Sequence, residues 1–241
     1  RRVKAGEDPG YPRFKGRGWY DSMCYPQYGN GAKLDGNKLN LSKVGSIRVN
    51  LHRELCGTLK TVCIRRGSGG KWFVTFSCDC VDLALPDDIK AVGVDVGTAT
   101  FATLSDGEKV KNPRFFKRDA NELAKAQRRL EKEAKGTPKR IKRKKVVARI
   151  HERIANKRTD FAHQESRRLV NTYGVICFED LNIKQMMSKH TEVFGNKLNK
   201  SIADVAWNQF VQFTTYKAES AGRRVVLVDP RNTSKMCSRC R

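Results

Sequence analysis

Two rhythms of apolar and polar residues divide the chain near residue 88. Upstream, Trp19-Tyr20, Met23-Cys24-Tyr25 and the stretches 32–41, 47–51, 59–64 and 72–80 alternate apolar with polar residues, the period of strands with one buried face. Asp35-Gly36-Asn37 and Gly67-Ser68-Gly69-Gly70 fall between them and have hairpin chemistry, since glycine and asparagine tolerate the positive φ of tight turns. A series of short antiparallel strands predicts a small barrel or sandwich over residues 1–88. Pro86-Asp87-Asp88 marks its boundary.

From about residue 89 the rhythm changes. An apolar run containing Gly93-Val94-Asp95-Val96-Gly97 leads to Thr100-Phe101-Ala102-Thr103-Leu104, a tight turn at Ser105-Asp106-Gly107, and Lys109-Val110, which together predict a three-strand meander. Helical spacing follows over 119–135 and 138–171, broken by Gly136-Thr137-Pro138. Pro138 suits the first helical position, where its missing N–H costs nothing. The second helix places Val147, Ile150, Ile154, Phe161 and Leu169 on one side and arginine and lysine elsewhere. A strand Val175-Ile176-Cys177-Phe178-Glu179, a helix over 203–221, a strand over 224–228 and Asp229-Pro230 complete the chain's regular part. The class is α+β. Meander, helices, strand, helix, strand is the succession of the ribonuclease-H-like fold, in which acidic residues from the first and fourth strands meet at one metal site.

Charge narrows the partners. Of 241 residues, 49 are Lys or Arg and 25 are Asp or Glu, a formal net charge of +24. Such a chain is steered to phosphate backbones or anionic membranes. No run of eighteen apolar residues is present and no amphipathic helix with bulky apolar residues opposite a basic face is evident, which makes nucleic acid the better partner by far. Of the eight cysteines, Cys24, Cys56, Cys63, Cys78, Cys80 and Cys177 are scattered through strand-like segments. There they are expected to be free, small hydrophobes in a reducing compartment. Only Cys237-Ser238-Arg239-Cys240 has metal-ligand spacing. The chain opens without Met and stops one residue after Cys240, and so reads as a portion of something longer.

Asp95 and Glu179 each sit at the edge of a short apolar run, where a carboxylate carries a desolvation cost unless a cation neutralises it. In a very basic chain the pair suggests a divalent-metal site acting on nucleic acid. The plainer reading has Asp95 opening a turn and Glu179 meeting an arginine. Strand alternation puts Val175, Cys177 and Glu179 on one face and Asp180 on the other, so only one of Glu179 and Asp180 can share a site with Asp95. Asp229 is either a third ligand or the start of a turn. Between Arg114 and Arg168 basic residues dominate, and the run from Lys139 to Lys145 holds no glutamate at helical spacing, so a polyanion is expected to neutralise it.

Gly93-Val94-Asp95-Val96-Gly97, Asn112-Pro113-Arg114-Phe115-Phe116, Ala126-Gln127-Arg128-Arg129-Leu130, Glu179-Asp180-Leu181-Asn182 and the stretch from Asp229 to Cys240 together resemble TnpB. TnpB is the transposon-encoded RNA-guided DNA endonuclease family related to the type V CRISPR effectors. The resemblance implies a wedge domain with an OB-like β-barrel (1–88) and a RuvC nuclease domain (89–230) with a basic helical segment (114–170). It also implies the first half of a zinc ribbon (231–241). By the same resemblance Asp95 is the first RuvC aspartate and Glu179 the glutamate of a two-metal Mg²⁺ site, the last aspartate lies beyond Arg241, and Asp229 reverts to a turn. Cys237 and Cys240 become the first half of a four-cysteine Zn²⁺ site. Ser22, Cys24 and Gln27 are expected to approach a short motif flanking the target. Arg128, Arg129, Arg140, Arg143, Lys144 and Arg149 are expected to cradle the duplex of guide and target. The implied partners are a guide RNA and double-stranded target DNA, with no membrane and no small-molecule substrate, in the cytoplasm of a prokaryotic cell at the nucleoid. Two other readings are a nuclease-dead RNA-guided repressor, and a transposase or Holliday-junction resolvase that works without RNA.

Overall fold

The computed structural model describes residues 6, 16, 20–82, 84–86, 90–183, 185–186 and 196–231. The chain divides into two compact units, up to Val81 and from Asp82 onward.

The first unit holds β1 (Ser22–Tyr25), β2 (Ala32–Asp35), β3 (Lys38–Leu41), β4 (Gly45–Arg48), β5 (Thr58–Arg66) and β6 (Trp72–Asp79). They form two antiparallel sheets, ordered β1-β5-β6 and β2-β3-β4. Gly36 and Asn37 make the two-residue turn between β2 and β3, with Gly36 at φ 53°. Ala32, Leu39, Leu41, Val62 and Ile64 are buried between the sheets, with Tyr25, Ile47, Val74 and Phe76 packed around them. The expected barrel is not closed: among the described residues no strand pairing joins one sheet to the other. Alternation reports which residues face a core, and a closed barrel and two stacked sheets share that pattern.

The cysteines also depart from expectation. Cys24 on β1 lies directly opposite Cys63 on β5, and the two form a disulfide. Directly opposed residues bring their Cβ atoms within about 5 Å, and that register is not visible along the chain. Cys56 and Cys80 form no disulfide among the described residues and are exposed, so they are not core hydrophobes either.

The second unit is a five-stranded mixed sheet with helices. Its strands are β7 (Ala91–Val96), β8 (Thr100–Leu104), β9 (Lys109–Lys111), β10 (Val175–Glu179) and β11 (Arg224–Val228), in the order β11-β10-β7-β8-β9. The meander β7-β8-β9 is antiparallel, whereas β10 runs parallel to β7 and β11 parallel to β10. Four helices accompany the sheet among the described residues: α1 (Phe115–Glu131), α2 (Pro138–Thr172), α3 (Asn196–Val205) and α4 (Trp207–Ser220). Val92, Val94, Ile176 and Phe178 are buried on one face of the central strands, against Leu169, Val170 and Phe210 of α2 and α4. Phe101 meets Phe161 and Phe210 edge-on, at centroid distances of 4.7 and 4.9 Å, the arrangement aromatic quadrupoles favour.

Helix α2 serves two cores. Its C-terminal half packs on the sheet, and its N-terminal half builds a separate apolar cluster with α1, centred on Leu123, Ile150 and Ile154. Helix α1 begins at Phe115, earlier than the expected 119, because Asp204 accepts the Phe116 N–H from 88 residues away at 3.1 Å. The helix expected over 203–221 is broken at Ala206, whose φ of 55° turns the chain so that both Val205 and Trp207 are buried. No glycine or proline marks that break.

Candidate metal centre and nucleic-acid interface

Alternation along β7 sends Val92, Val94 and Val96 towards the core and leaves Gly93 and Asp95 on the other face. On β10 the same rule buries Ile176 and Phe178 and puts Cys177 and Glu179 on that other face. The strands are in parallel register, with Cys177 opposite Gly93 and Phe178 opposite Val94. One step further along, Glu179 and Asp95 stand side by side. They line one shallow cavity of about 390 Å³ with Thr103, Ser105, Cys177 and Val228. Ser105 fixes the wall: its Oγ accepts the Gly93 N–H at 3.0 Å and its own N–H donates to the Gly93 carbonyl at 2.9 Å.

Glu179, then, and not Asp180, shares the face of Asp95. The Asp180 N–H donates to the Val228 carbonyl at 2.8 Å and continues the ladder to β11. Asp229 has the turn role, since its Oδ1 accepts the Arg231 N–H at 3.0 Å. Two adjacent carboxylates offer hard oxygen donors of the kind that Mg²⁺ takes alongside its retained waters. Among the described residues no group of three or more His, Cys, Asp or Glu converges on one point. Cys237 and Cys240 lie outside the described residues.

The basic helices divide into groups. Thr137 caps α2 by accepting the Arg140 N–H at 3.2 Å, with Pro138 at the first helical position. The Arg140 guanidinium donates to the Leu130 and Glu133 carbonyls at 3.0 and 2.7 Å, closing the C-terminal end of α1, and Arg143 approaches Glu133 at 3.8 Å. Those two cations thus hold the turn between the helices. Arg128, Arg129, Lys144 and Arg149 are exposed. Ser22, Cys24 and Gln27 are exposed at β1 and the turn after it, but the Cys24 sulfur is committed to the disulfide.

Sequence reasoning missed two features. Lys217 is buried between α4 and α2, donating to the His163 carbonyl and Ser166 Oγ, both at 2.7 Å. Burial pushes its ammonium down to about 8. The other is a cluster of cations where β9 meets α1: Lys109, Lys111, Arg114, Lys117 and Arg118 line one cavity. Its signal was the side-by-side placement of charged strand ends, which depends on register. No described helix is long and apolar enough to cross a membrane.

Comparison with known proteins places this arrangement. Residues 76–190 match a family described as "Probable transposase", and residues 207–241 match a "Cas12f1-like, TNB domain". A "Putative RNA-guided DNA endonuclease" of Streptomyces pristinaespiralis is 35% identical over 237 residues, 95% of this chain and 56% of that protein. The "Putative RNA-guided DNA endonuclease InsQ" of Escherichia coli is 31% identical over 242 residues, 95% of this chain and 59% of the relative. The chain therefore spans less than two thirds of the length of these relatives. Among solved structures, a Cas12f1–sgRNA–target DNA complex shares the fold at 18% identity with a TM-score of 0.50, over 76% of this chain and 38% of that one.

Proposed function

The chain belongs to the TnpB family, the transposon-encoded relatives of the type V CRISPR effectors, and from that premise we propose that it forms the wedge and RuvC nuclease portions of an RNA-guided DNA endonuclease. The observation that carries the reading is that Asp95 and Glu179, on adjacent parallel strands, line one cavity. When bound there, Mg²⁺ supplies an activated water and stabilises the leaving oxygen of a phosphodiester. The chain's own residues position that chemistry. Asp95 and Glu179 would hold the cation, and the Ser105 turn and the parallel β7–β10 register position the strands that carry them. Cutting leaves 5′-phosphate and 3′-hydroxyl ends, and pairing to a guide RNA selects the DNA.

The exposed cations Arg128, Arg129, Lys144 and Arg149, with Arg143 at their margin, are assigned to the backbone of the guide–target duplex. Arg140 keeps its structural role at the helix turn and contributes at most through its exposed edge. Ser22, Gln27 and the backbone at Cys24 are assigned to the DNA flanking the target. Cys237 and Cys240 are assigned to a structural Zn²⁺ site completed by a second cysteine pair.

The experiment uses the whole protein purified with its RNA. Asp95→Ala should abolish cleavage of guided target DNA and leave guided binding within about twofold. Robust cutting by that variant overturns the assignment. Absence of any discrete co-purifying RNA favours the RNA-independent transposase or resolvase, and intact guided binding without wild-type cutting favours the repressor.

A further inference from the structure

The edge of the sheet beside the carboxylate pair carries five exposed cations. Lys109 and Lys111 belong to β9, and Arg114, Lys117 and Arg118 to the start of α1. They line a cavity of about 660 Å³ that has no carboxylate in its wall. Asp204 lies in an adjoining cavity lined also by Arg114 and Lys117. Its oxygens are taken by Arg158 at 2.7 Å and by the Phe116 N–H at 3.1 Å. Among the described residues none of the five cations forms an ion pair.

Register joins this patch to the carboxylates. Asp95 pairs with Thr103 on β8, and Thr103 pairs with Lys109 on β9. The three residues form one row across the same face of the sheet, with strands about 4.8 Å apart. The Lys109 backbone therefore stands about 10 Å from that of Asp95. One strand of a nucleic acid carries a phosphate about every 3.4 Å of helix rise, so the patch lies within about three nucleotides of a bond held at the carboxylates.

Lysines on an edge strand also serve to block pairing with another sheet, and that accounts for Lys109 and Lys111. It does not account for the helix. Lys117 and Arg118 lie in the first turns of α1, Arg114 is its N-cap residue, and no acidic residue occupies the first turn. Cations there oppose the helix dipole, whose N-terminal end is positive. A bound polyanion neutralises the cluster and adds to the Asp204 carboxylate that already accepts the Phe116 N–H.

Resting on the endonuclease reading above, we infer that Lys109, Lys111, Arg114, Lys117 and Arg118 hold the phosphodiester backbone of the DNA strand being cut, just outside the carboxylate site. This strand contact is separate from the duplex contact assigned to the end of α1 and to α2. It positions the strand and takes no part in bond breaking.

The test compares the whole protein with its Lys111→Gln/Lys117→Gln/Arg118→Gln variant, using a twelve-residue thymidine oligonucleotide without divalent ion and, separately, the guide RNA and guided target. The log–log salt slope for the oligonucleotide should become shallower by about 2, about 0.7 for each of three lost phosphate contacts. Cleavage should slow while guide-RNA affinity stays within about twofold, and Lys111→Arg/Lys117→Arg should keep the wild-type slope. An unchanged oligonucleotide slope in a variant that melts with wild type overturns the inference. So does a loss confined to guide-RNA binding, which would make RNA the occupant. A shallower slope in a protein whose wild type never cuts would sink the nuclease reading and leave the DNA-binding edge standing. If the triple variant melts below wild type, Lys117→Gln alone is read for a change of about 0.7.

Discussion

Both halves of α2 carry more basic than acidic residues, but their cations do different things. From the middle of the helix onward, Arg153 pairs with Asp119 and Glu122, Lys157 with Asp119 at 3.1 Å, Arg158 with Asp204 at 2.7 Å, and Arg168 with Glu165 and Glu108. In the N-terminal half, Lys139, Lys142, Lys144 and Lys145 form no ion pair with a described carboxylate and are exposed. The acids that neutralise this stretch come mainly from across space, on α1, on α3 and at Glu108 before β9, with Glu165 on α2 itself. Counting glutamates at i,i+4 therefore cannot separate structural from unspent charge. Position relative to the cores does: the run from Lys139 to Lys145 lies ahead of both, whereas the paired cations from Arg153 onward flank the α1–α2 cluster and the sheet-packed half.

The largest expected effect tests the cores. Leu169→Ala, at 1% exposure in the main core, should cost about 2–5 kcal/mol in denaturant unfolding. Leu123→Ala in the α1–α2 cluster should instead open that hairpin locally, seen as faster amide exchange there with the sheet still protected. Uniform loss of protection in both variants would merge the two halves into one cooperative unit.

Next comes the neutralised half. Asp204→Ala strands Arg158 and the Phe116 N–H, and should cost about 2 kcal/mol, since hydrogen bonds to charged groups contribute about 1.5–3 kcal/mol. The unspent half should respond in the opposite way. Lys142→Gln/Lys144→Gln/Lys145→Gln should change stability by no more than about 0.5 kcal/mol. The salt slope of duplex binding should nonetheless drop by about 0.9 per lost contact. A stability loss larger than that of Asp204→Ala would break the comparison.

The smallest effect is a pH dependence. Burial lowers the Lys217 ammonium from 10.5 to about 8, so between those values the unfolded chain binds the extra proton. Stability should therefore rise as pH climbs through that window. Tyr173, raised from 10.0 to about 12 by its hydrogen bond to Asp106, acts oppositely and should reduce stability above pH 10. Lys217→Met should remove the rise without touching the later fall, as read from unfolding midpoints at pH 7, 9 and 11.

The sequence carried the second unit further than the first. The short apolar runs around Asp95 and Glu179 identified β7 and β10, and alternation alone put Glu179 on the opposite face from Asp180. Thr137-Pro138 located the start of α2 to the residue. What remained hidden depends on register or distant partners: the Cys24–Cys63 bond, the row from Asp95 through Thr103 to Lys109, the Asp204 cap on α1, and the use of Arg140 as a helix stop. The first unit's strands were legible, but their grouping into two sheets was not, because each strand's alternation fits several neighbours.

The central claim is that Asp95 and Glu179 form one site, and a double-mutant comparison of cleavage rates tests it most directly. Residues that hold one cation act as a unit, so their losses do not add. Using the whole protein with its guide RNA and saturating Mg²⁺, Asp95→Ala, Glu179→Ala and the double variant should all fall to the same residual single-turnover rate. A double variant slower than either single variant by the product of their separate effects would place the two carboxylates at independent sites and contradict the account.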